Sequence, residues 1–216
     1  MSLVNYTSLN CKLSHMSITK KSVLLIFLIL FIDQASKIYV KLHFALGDHV
    51  NVLSWFQIYF IENNGMAFGM ELIGKLFLTL FRIVAVAVLA YYIHILIKKQ
   101  FPTGYILTIS LVLAGAAGNI IDSVFYGLIF NESYGNVATF LPDGGGYASL
   151  FYGKVVDMIY FPIIRNSVGE TLFFSPVFNV ADSAISVAVV IILLFFRKEL
   201  NDSLESKKDR NVELSK

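Results

Sequence analysis

Four long apolar stretches, each near the roughly 20 residues a helix needs to cross the hydrocarbon of a bilayer, restrict the architectures open to this chain more than any other feature. The first runs from about Ser22 through Asp33 to about Leu42 and the second from about Leu72 to Ile97. The third covers about Tyr105 to Phe125 and the fourth about Phe178 to Phe196. With 56% hydrophobic residues, 15% charged residues and a mean hydropathy of +0.70, the chain carries more apolar surface than a soluble domain of 216 residues can bury. The expected fold is a membrane all-α bundle of four transmembrane helices, with a small extracytoplasmic β-sheet and a glycine-rich loop.

The net charge of +2 is too small to point to nucleic acid, and the placement of the positive charges says more. Lys20 and Lys21 precede the first stretch, Lys98 and Lys99 follow the second, and Arg197 and Lys198 close the fourth. The segment from Ala45 to Glu71 has no Lys or Arg, and the long connection after the third stretch has only Lys154 and Arg165. The positive-inside rule then puts both termini in the cytoplasm and both polar loops outside. The first stretch has the basic start of a signal peptide, but its length, Asp33 and the lack of a small-x-small cleavage pattern argue for a retained helix. Met16 is an alternative initiator. The division expected is a cytoplasmic N-terminal extension over 1–21, a membrane domain with β segments over 22–196, and a polar cytoplasmic tail over 197–216, disordered from about Asn201. Cys11, the only cysteine, leaves no disulfide framework or thiol metal site.

The outer loops have their own texture. Asn51 to Phe60 and Lys154 to Pro162 are rich in β-branched and aromatic residues and read as short strands, with Trp55 and Tyr59 as interfacial anchors. Between the third stretch and the second of these segments, about Tyr126 to Gly153, glycines recur, including the triplet Gly144 to Gly146. This stretch is expected to be a mobile, irregular cover.

Two aspartates, Asp157 in the second strand-like segment and Asp182 at the start of the fourth stretch, stand beside membrane-depth sequence. A carboxylate there costs roughly 2.5 to 3.5 kcal/mol on insertion scales, so a pair asks for a purpose. Two close carboxyls cannot both ionise easily; sharing one proton, they supply a base for water and an acid for a carbonyl oxygen. In Asn179-Val-Ala-Asp182 the i, i+3 spacing puts both polar side chains on one helical face, where Asn179 can orient a carboxylate or substrate backbone. Plainer readings stand beside these. Asp182 could be a dipole-stabilising acid in a first helical turn, and Asp157 an ordinary interfacial acid. Asp33 and Lys37, four apart, can neutralise each other, and Asp122 is expected to hold structure by pairing with Lys37 or bonding the loop. His15, His43, His49 and His94 show no metal spacing, and Ser183 lacks a convincing base. Lys75 can snorkel outwards from the second stretch, whereas Arg82, deeper, needs a polar partner or substrate.

Several motifs occur in the order found in one family: Asp33-Gln-Ala-Ser-Lys37, Asn63-Asn-Gly-Met-Ala-Phe-Gly69, Gly118-Asn-Ile-Ile-Asp122, Val155-Val-Asp157 and Phe178-Asn-Val-Ala-Asp-Ser183. From Asp33 to Ser183 the chain resembles lipoprotein signal peptidase, or signal peptidase II, an aspartyl peptidase family. The resemblance implies a four-helix enzyme of the bacterial inner membrane that cuts diacylglyceryl-modified prolipoproteins just before the lipidated cysteine. It implies Asp157 and Asp182 as catalytic residues and Asn63, Gly65, Asn119, Asp122, Asn179, Asp33 and Lys37 as substrate-binding or supporting residues. The family usually carries Arg after the aspartate of the helix-three motif; here Ser123 stands there, and the stretch that follows is longer than in the shortest members. Expected partners are the prolipoproteins and membrane lipids, with no nucleic acid, no metal and no cofactor, and the protein is expected to be a monomer. The alternatives are a small ion- or proton-coupled transporter, which would predict broken helices and internal repeats, and a scaffold without chemistry.

Overall fold

A computed structural model describes residues 16–64, 73–165, 171–173 and 176–213. The first apolar stretch forms α1 (Ile18–His43), starting where the Ser17 side chain accepts from the backbone N–H of Lys20. The second forms α2 (Ile73–Lys98) and the third α3 (Thr103–Ile121), which begins just after Pro102, a residue suited to helix starts. The chain leaving α3 continues through a π-helical turn (Asp122–Tyr126) and a last helical turn (Gly127–Ile129). The fourth stretch forms α4 (Val180–Phe195), two residues later than expected at its start, because Phe178 pairs as an isolated bridge with Ile159. Among the described residues, three helices are long and apolar enough to cross a membrane, and α4 makes a fourth if joined to the helix after it.

That last helix, α5 (Arg197–Glu213), corrects the expectation of a disordered tail. Its Lys, Glu, Arg and Leu content favours helix. Its Ser203 hydroxyl docks onto Tyr92 at 2.5 Å and onto Tyr105 at 3.4 Å, beneath the bundle. Between α4 and α5 the chain turns by 88°.

Helix α3 lies at the centre of the bundle, against α1, α2 and α4, and α4 also packs on α1. The lower core gathers Ile93 and Leu96 of α2, Tyr105, Ile106, Ile109 and Leu113 of α3, and Ile192 of α4. Outward faces stay apolar, as lipid contact requires, with Phe27, Phe31, Phe77, Phe81, Val84 and Phe195 exposed. Above the bundle, β1 (His49–Leu53), β2 (Phe56–Asn63) and β3 (Val155–Tyr160) form an antiparallel sheet in that order. Register places Ile61 opposite Asp157 and Asn63 opposite Val155. Trp55 sits at the sheet's edge against Phe56 and Phe161. A second, two-stranded pair joins β4 (Ile164–Arg165) to β5 (Thr171–Phe173).

The connection over 126–153 is irregular, as expected, but it is tied down rather than free. Leu141 N–H donates to Ile129 at 2.8 Å, Ala148 to Gly127 at 2.9 Å, and Gly153 to Ser123 at 2.9 Å. Gly153 is required by this packing: a Cβ there would lie 2.0 Å from the Asp122 carbonyl oxygen.

Helices α3 and α4 meet at backbone distance. A Cβ added to Gly115 would stand 2.3 Å from the carbonyl oxygen of Ala181, one residue before Asp182. Gly115→Ala should therefore push α4 aside, lowering both thermal stability and activity, whereas Gly144→Ala, with nothing within 4 Å, should leave both near wild type. Melting curves of the two purified variants check this; equal curves would show that the crossing yields without cost.

Candidate active site

The described site residues converge where the sheet meets the upper ends of the helices. Asp157 hangs from β3 and is only 2% exposed, while Asp182, half-buried, is the third residue of α4. One side chain spans the two. Asn179 caps α4, with its Oδ1 accepting from Asp182 N–H at 2.9 Å and its Nδ2 donating to Asp157 Oδ1 at 2.7 Å. Asp182 completes the capping box, its Oδ2 accepting from the Asn179 N–H at 3.3 Å. Its other oxygen, Oδ1, accepts from Asn119 Nδ2 at 2.8 Å. The reading of Asp182 as an acid in a first helical turn is thus correct as local structure, and it leaves the carboxyl beside Asp157.

Beneath the pair, Lys37 uses all three ammonium donors. It meets Asp33 Oδ2, Asp122 Oδ2 and Asn119 Oδ1, each at 2.9 Å, and Lys37, Asp33 and Asp122 are fully buried. Each carboxylate then holds one aspartate-bearing segment. Asp33 Oδ1 accepts from Ala181 N–H at 2.9 Å, in the first turn of α4, where an anion also suits the helix dipole. Asp122 Oδ2 accepts from Val156 N–H at 3.2 Å, next to Asp157. The i, i+4 pairing of Asp33 with Lys37 and the expected pairing of Asp122 with Lys37 are both present.

Asn63, at the end of β2, hydrogen-bonds the Asp157 carboxyl. Gly65 lies outside the described residues. Ser123 brings no charge: its hydroxyl donates to the Asn119 carbonyl at 2.9 Å. Ser183 likewise donates to the Asn179 carbonyl at 2.9 Å. No cluster of three or more metal-ligating side chains occurs among the described residues. Lys75 departs from the snorkelling expectation, being turned inward and bonded to Asn64 at 3.2 Å.

Gln34, assigned no role from sequence, belongs to the site. Its Nε2 lies 3.0 Å from Asp33 Oδ2, 2.9 Å from Asp122 Oδ1 and 3.2 Å from the Gly118 carbonyl, and its Oε1 accepts from Tyr126 at 3.1 Å. The available signal was an uncharged polar residue inside an apolar helix, next to a motif aspartate. A second buried group, Lys41 with Glu62 and Ser133, was also missed; Lys41 stands over the rings of Tyr147, Phe130 and Phe60.

Burial, and then the charge of Asp182, pushes the Asp157 carboxyl up to about 7, with hydrogen bonds from Asn179 and Asn63 and the charge of Lys37 pulling the other way. A carboxyl that keeps its proton to near neutrality beside a second carboxyl can serve as the acid while its neighbour serves as the base. The titration belongs to the pair.

Comparison with known proteins gives a consistent picture. The family model described as Signal peptidase (SPase) II matches residues 25–197. A protein of Porphyromonas gingivalis named lipoprotein signal peptidase is 46% identical over 194 residues, covering 85% of this chain and 86% of its own. A protein of the same name from Amoebophilus asiaticus is 33% identical over 84% of this chain and 79% of its own. Among solved structures, a bacterial membrane enzyme determined by the in meso method at 1.9 Å resolution aligns with a TM-score of 0.58 at 25% identity, covering 81% of this chain and 91% of that one.

Because its pKa is raised in the fold above the unfolded value of about 3.9, Asp157 is destabilising when ionised. That cost is absent below about pH 4, grows as pH rises, and is complete above about 7. Asp157→Asn keeps the acceptor for Asn179 without the charge, so its melting temperature should exceed wild type at pH 8 and the gap should close by pH 4. A gap that does not depend on pH would contradict the burial argument.

Proposed function

This chain belongs to the signal peptidase II family, and from that premise we propose that it is an aspartyl endopeptidase that removes signal peptides from diacylglyceryl-modified bacterial prolipoproteins, cutting just before the lipidated cysteine. Asp157 and Asp182 are its catalytic pair. The observation that carries this reading is the Asn179 side chain, bonded at once to the Asp157 carboxyl and to the backbone of Asp182, with Asp182 Oδ2 returning to the Asn179 backbone. It makes two distant segments one acid–base unit.

The ionised carboxyl takes a proton from water as the oxygen attacks the scissile carbonyl carbon, and the protonated carboxyl donates to the carbonyl oxygen. Collapse of the neutral diol intermediate breaks the C–N bond: the carboxyl that took the water proton gives it to the leaving amine while the other carboxyl takes a proton from a diol hydroxyl, so the pair again holds one proton. Asn119 and Asn179 hold the carboxyls without adding charge, and Asn63 lies beside Asp157 at the end of β2. Asn63 and Gly65 serve substrate binding or support in this reading, and Asp33, Lys37 and Asp122 support the pair.

The membrane arrangement proposed is four spans, both termini cytoplasmic, with 45–71 and 126–172 outside. Helix α4, at 16 residues and about 24 Å, is the short fourth span, its capped start near the outer boundary. The Lys and Arg distribution supports this orientation. Cysteine substitution at Asp143 should react with a membrane-impermeant thiol reagent added outside; labelling only from the cytoplasmic side would reverse the orientation.

Asp157→Asn and Asp182→Asn should each abolish conversion of a diacylglyceryl-modified precursor to its shorter form, in variants matched for membrane abundance, and the double variant should be little worse than either single one. Asp122→Asn should lose activity through stability and positioning instead. Wild-type turnover by either single variant would remove that residue from the pair and return the ion-coupled transporter and scaffold readings.

A further inference from the structure

Helices α1 and α2 each pack on α3 but, among the described residues, barely touch one another. At the end of the bundle far from the acid pair this leaves a groove of about 510 Å³, a volume within the range of ligand sites. Val23 and Ile26 of α1 form one wall, Ala90 and Ile93 of α2 the other, and Leu113 of α3 lies between them. Towards the ends of the helices the lining turns polar, with Thr19 and Ser22 on α1 and His94 and Lys98 on α2. A second groove of about 430 Å³ runs along Lys20, Leu24 and Phe27 on α1 and shares Thr19 and Val23 with the first. Thr19 and Val23, both exposed, are the ridge between the two.

Two features of these grooves describe their occupant. Ser22 is only 3% exposed, and its hydroxyl has no hydrogen-bond partner. Apart from a Glu62 oxygen that Lys154 meets at 3.2 Å, it is the only such buried side-chain atom among the described residues. Helical hydroxyls elsewhere in the bundle bond the carbonyl four residues back, as Thr108, Ser110 and Ser123 do. An unpaired hydroxyl at the polar end of an apolar groove needs a partner carried by whatever fills the groove. The other feature is charge. Lys98 lines one groove and Lys20 the other, and among the described residues neither has an acidic partner. The described acids at this end all stand on α5, outside both grooves. The matching occupant has two apolar limbs, hydrogen-bond acceptors near their junction, and negative charge.

We propose that this end of the bundle holds one anionic phospholipid, its two acyl chains straddling the Thr19 and Val23 ridge to lie in the two grooves, and its phosphate held at Thr19 between Lys20 and Lys98. Ser22 stands three residues further along α1, about 4.5 Å deeper in the bilayer, at the level of the ester oxygens, to one of which it donates. The lipid fills the gap that α1 and α2 leave between them. In the membrane arrangement proposed above, it belongs to the cytoplasmic leaflet. The inference is independent of the catalytic assignment, since none of these residues touches the acid pair.

The test uses the full-length protein, stripped of lipid in detergent and titrated with dioleoylphosphatidylglycerol, dioleoylphosphatidylcholine or inorganic phosphate. Native mass spectrometry counts the lipid retained, and the rise in melting temperature reports its affinity. Each chain should retain one phosphatidylglycerol, bound about tenfold more tightly than phosphatidylcholine; a lysine at a headgroup is worth about fivefold, so Lys98→Gln should weaken phosphatidylglycerol by about that factor and phosphatidylcholine by less. Ser22→Ala should weaken both lipids, because both carry ester oxygens. Ala90→Trp, which fills the first groove from an exposed position, should abolish retention of both. Lys198→Gln, at an exposed cation of the same end outside both grooves, should bind as wild type. Equal affinity for the two lipids overturns the proposal, as does equal stabilisation by phosphate alone or wild-type retention in Ala90→Trp. A loss in Lys198→Gln as large as in Lys98→Gln would mark diffuse surface attraction and overturn it too.

Discussion

The site depends on one buried ammonium. Lys37 is fully buried and gives its three protons to three acceptors on two elements, Asp33 of its own helix and Asn119 and Asp122 on the chain of α3. An isolated charge in that setting would be prohibitive, and removing one partner from a buried pair typically costs about 3–5 kcal/mol. What makes the arrangement more than self-cancelling is that each carboxylate has an oxygen that also accepts from a backbone N–H. Ala181 N–H and Val156 N–H lie next to Asp182 and Asp157 respectively. The ion cluster is therefore a clamp on both ends of the proposed acid–base pair, although no atom of it need react.

Above the clamp the connections change from charged to neutral. Asn119 and Asn179 link Lys37, Asp157 and Asp182 in one run of hydrogen bonds. Amides can both donate and accept, so they hold two carboxyls near each other without neutralising either. A cation in the place of Asn179 would pull the Asp157 carboxyl down and remove the acid of the proposed mechanism. The capping box serves the same end. It makes the start of α4 rigid, and Asp182 is one of its two members.

Much of this was legible in the sequence because it is local or carried by spacing. The apolar runs mark the helices, Asn179 and Asp182 stand three apart, and Asp33 and Lys37 stand four apart. What escaped is set by topology. Lys41 meets Glu62 from 21 residues away and Ser133 from 92, and Gln34 reaches Asp122 across 88. No periodicity announces such contacts. Burial pushes the Glu62 carboxyl up, and the opposing charges of Lys41 and Lys154 more than offset this, leaving it below its ordinary value. The inward turn of Lys75 and the docking of Ser203 under Tyr92 likewise depend on partners far along the chain. The glycines of 126–153 suggested mobility, yet glycine serves close backbone approach as readily as motion, and composition does not separate the two.

The π-helical turn after α3 joins these observations. Such turns add a residue to the helical repeat and recur at functional sites. Here the turn begins at Asp122, whose side chain reaches Lys37 and Gln34 on one side and strand β3 on the other. The carbonyls of Ser123 and Val124 are then free to accept from Gly153 and Phe151, so the returning chain lies directly along the helix end. With Gly153 pressed against the Asp122 carbonyl, β3 starts two residues later already in contact with the bundle. The buried position of Asp157, and with it the retained proton that the proposed acid role needs, thus follows from how one helix ends.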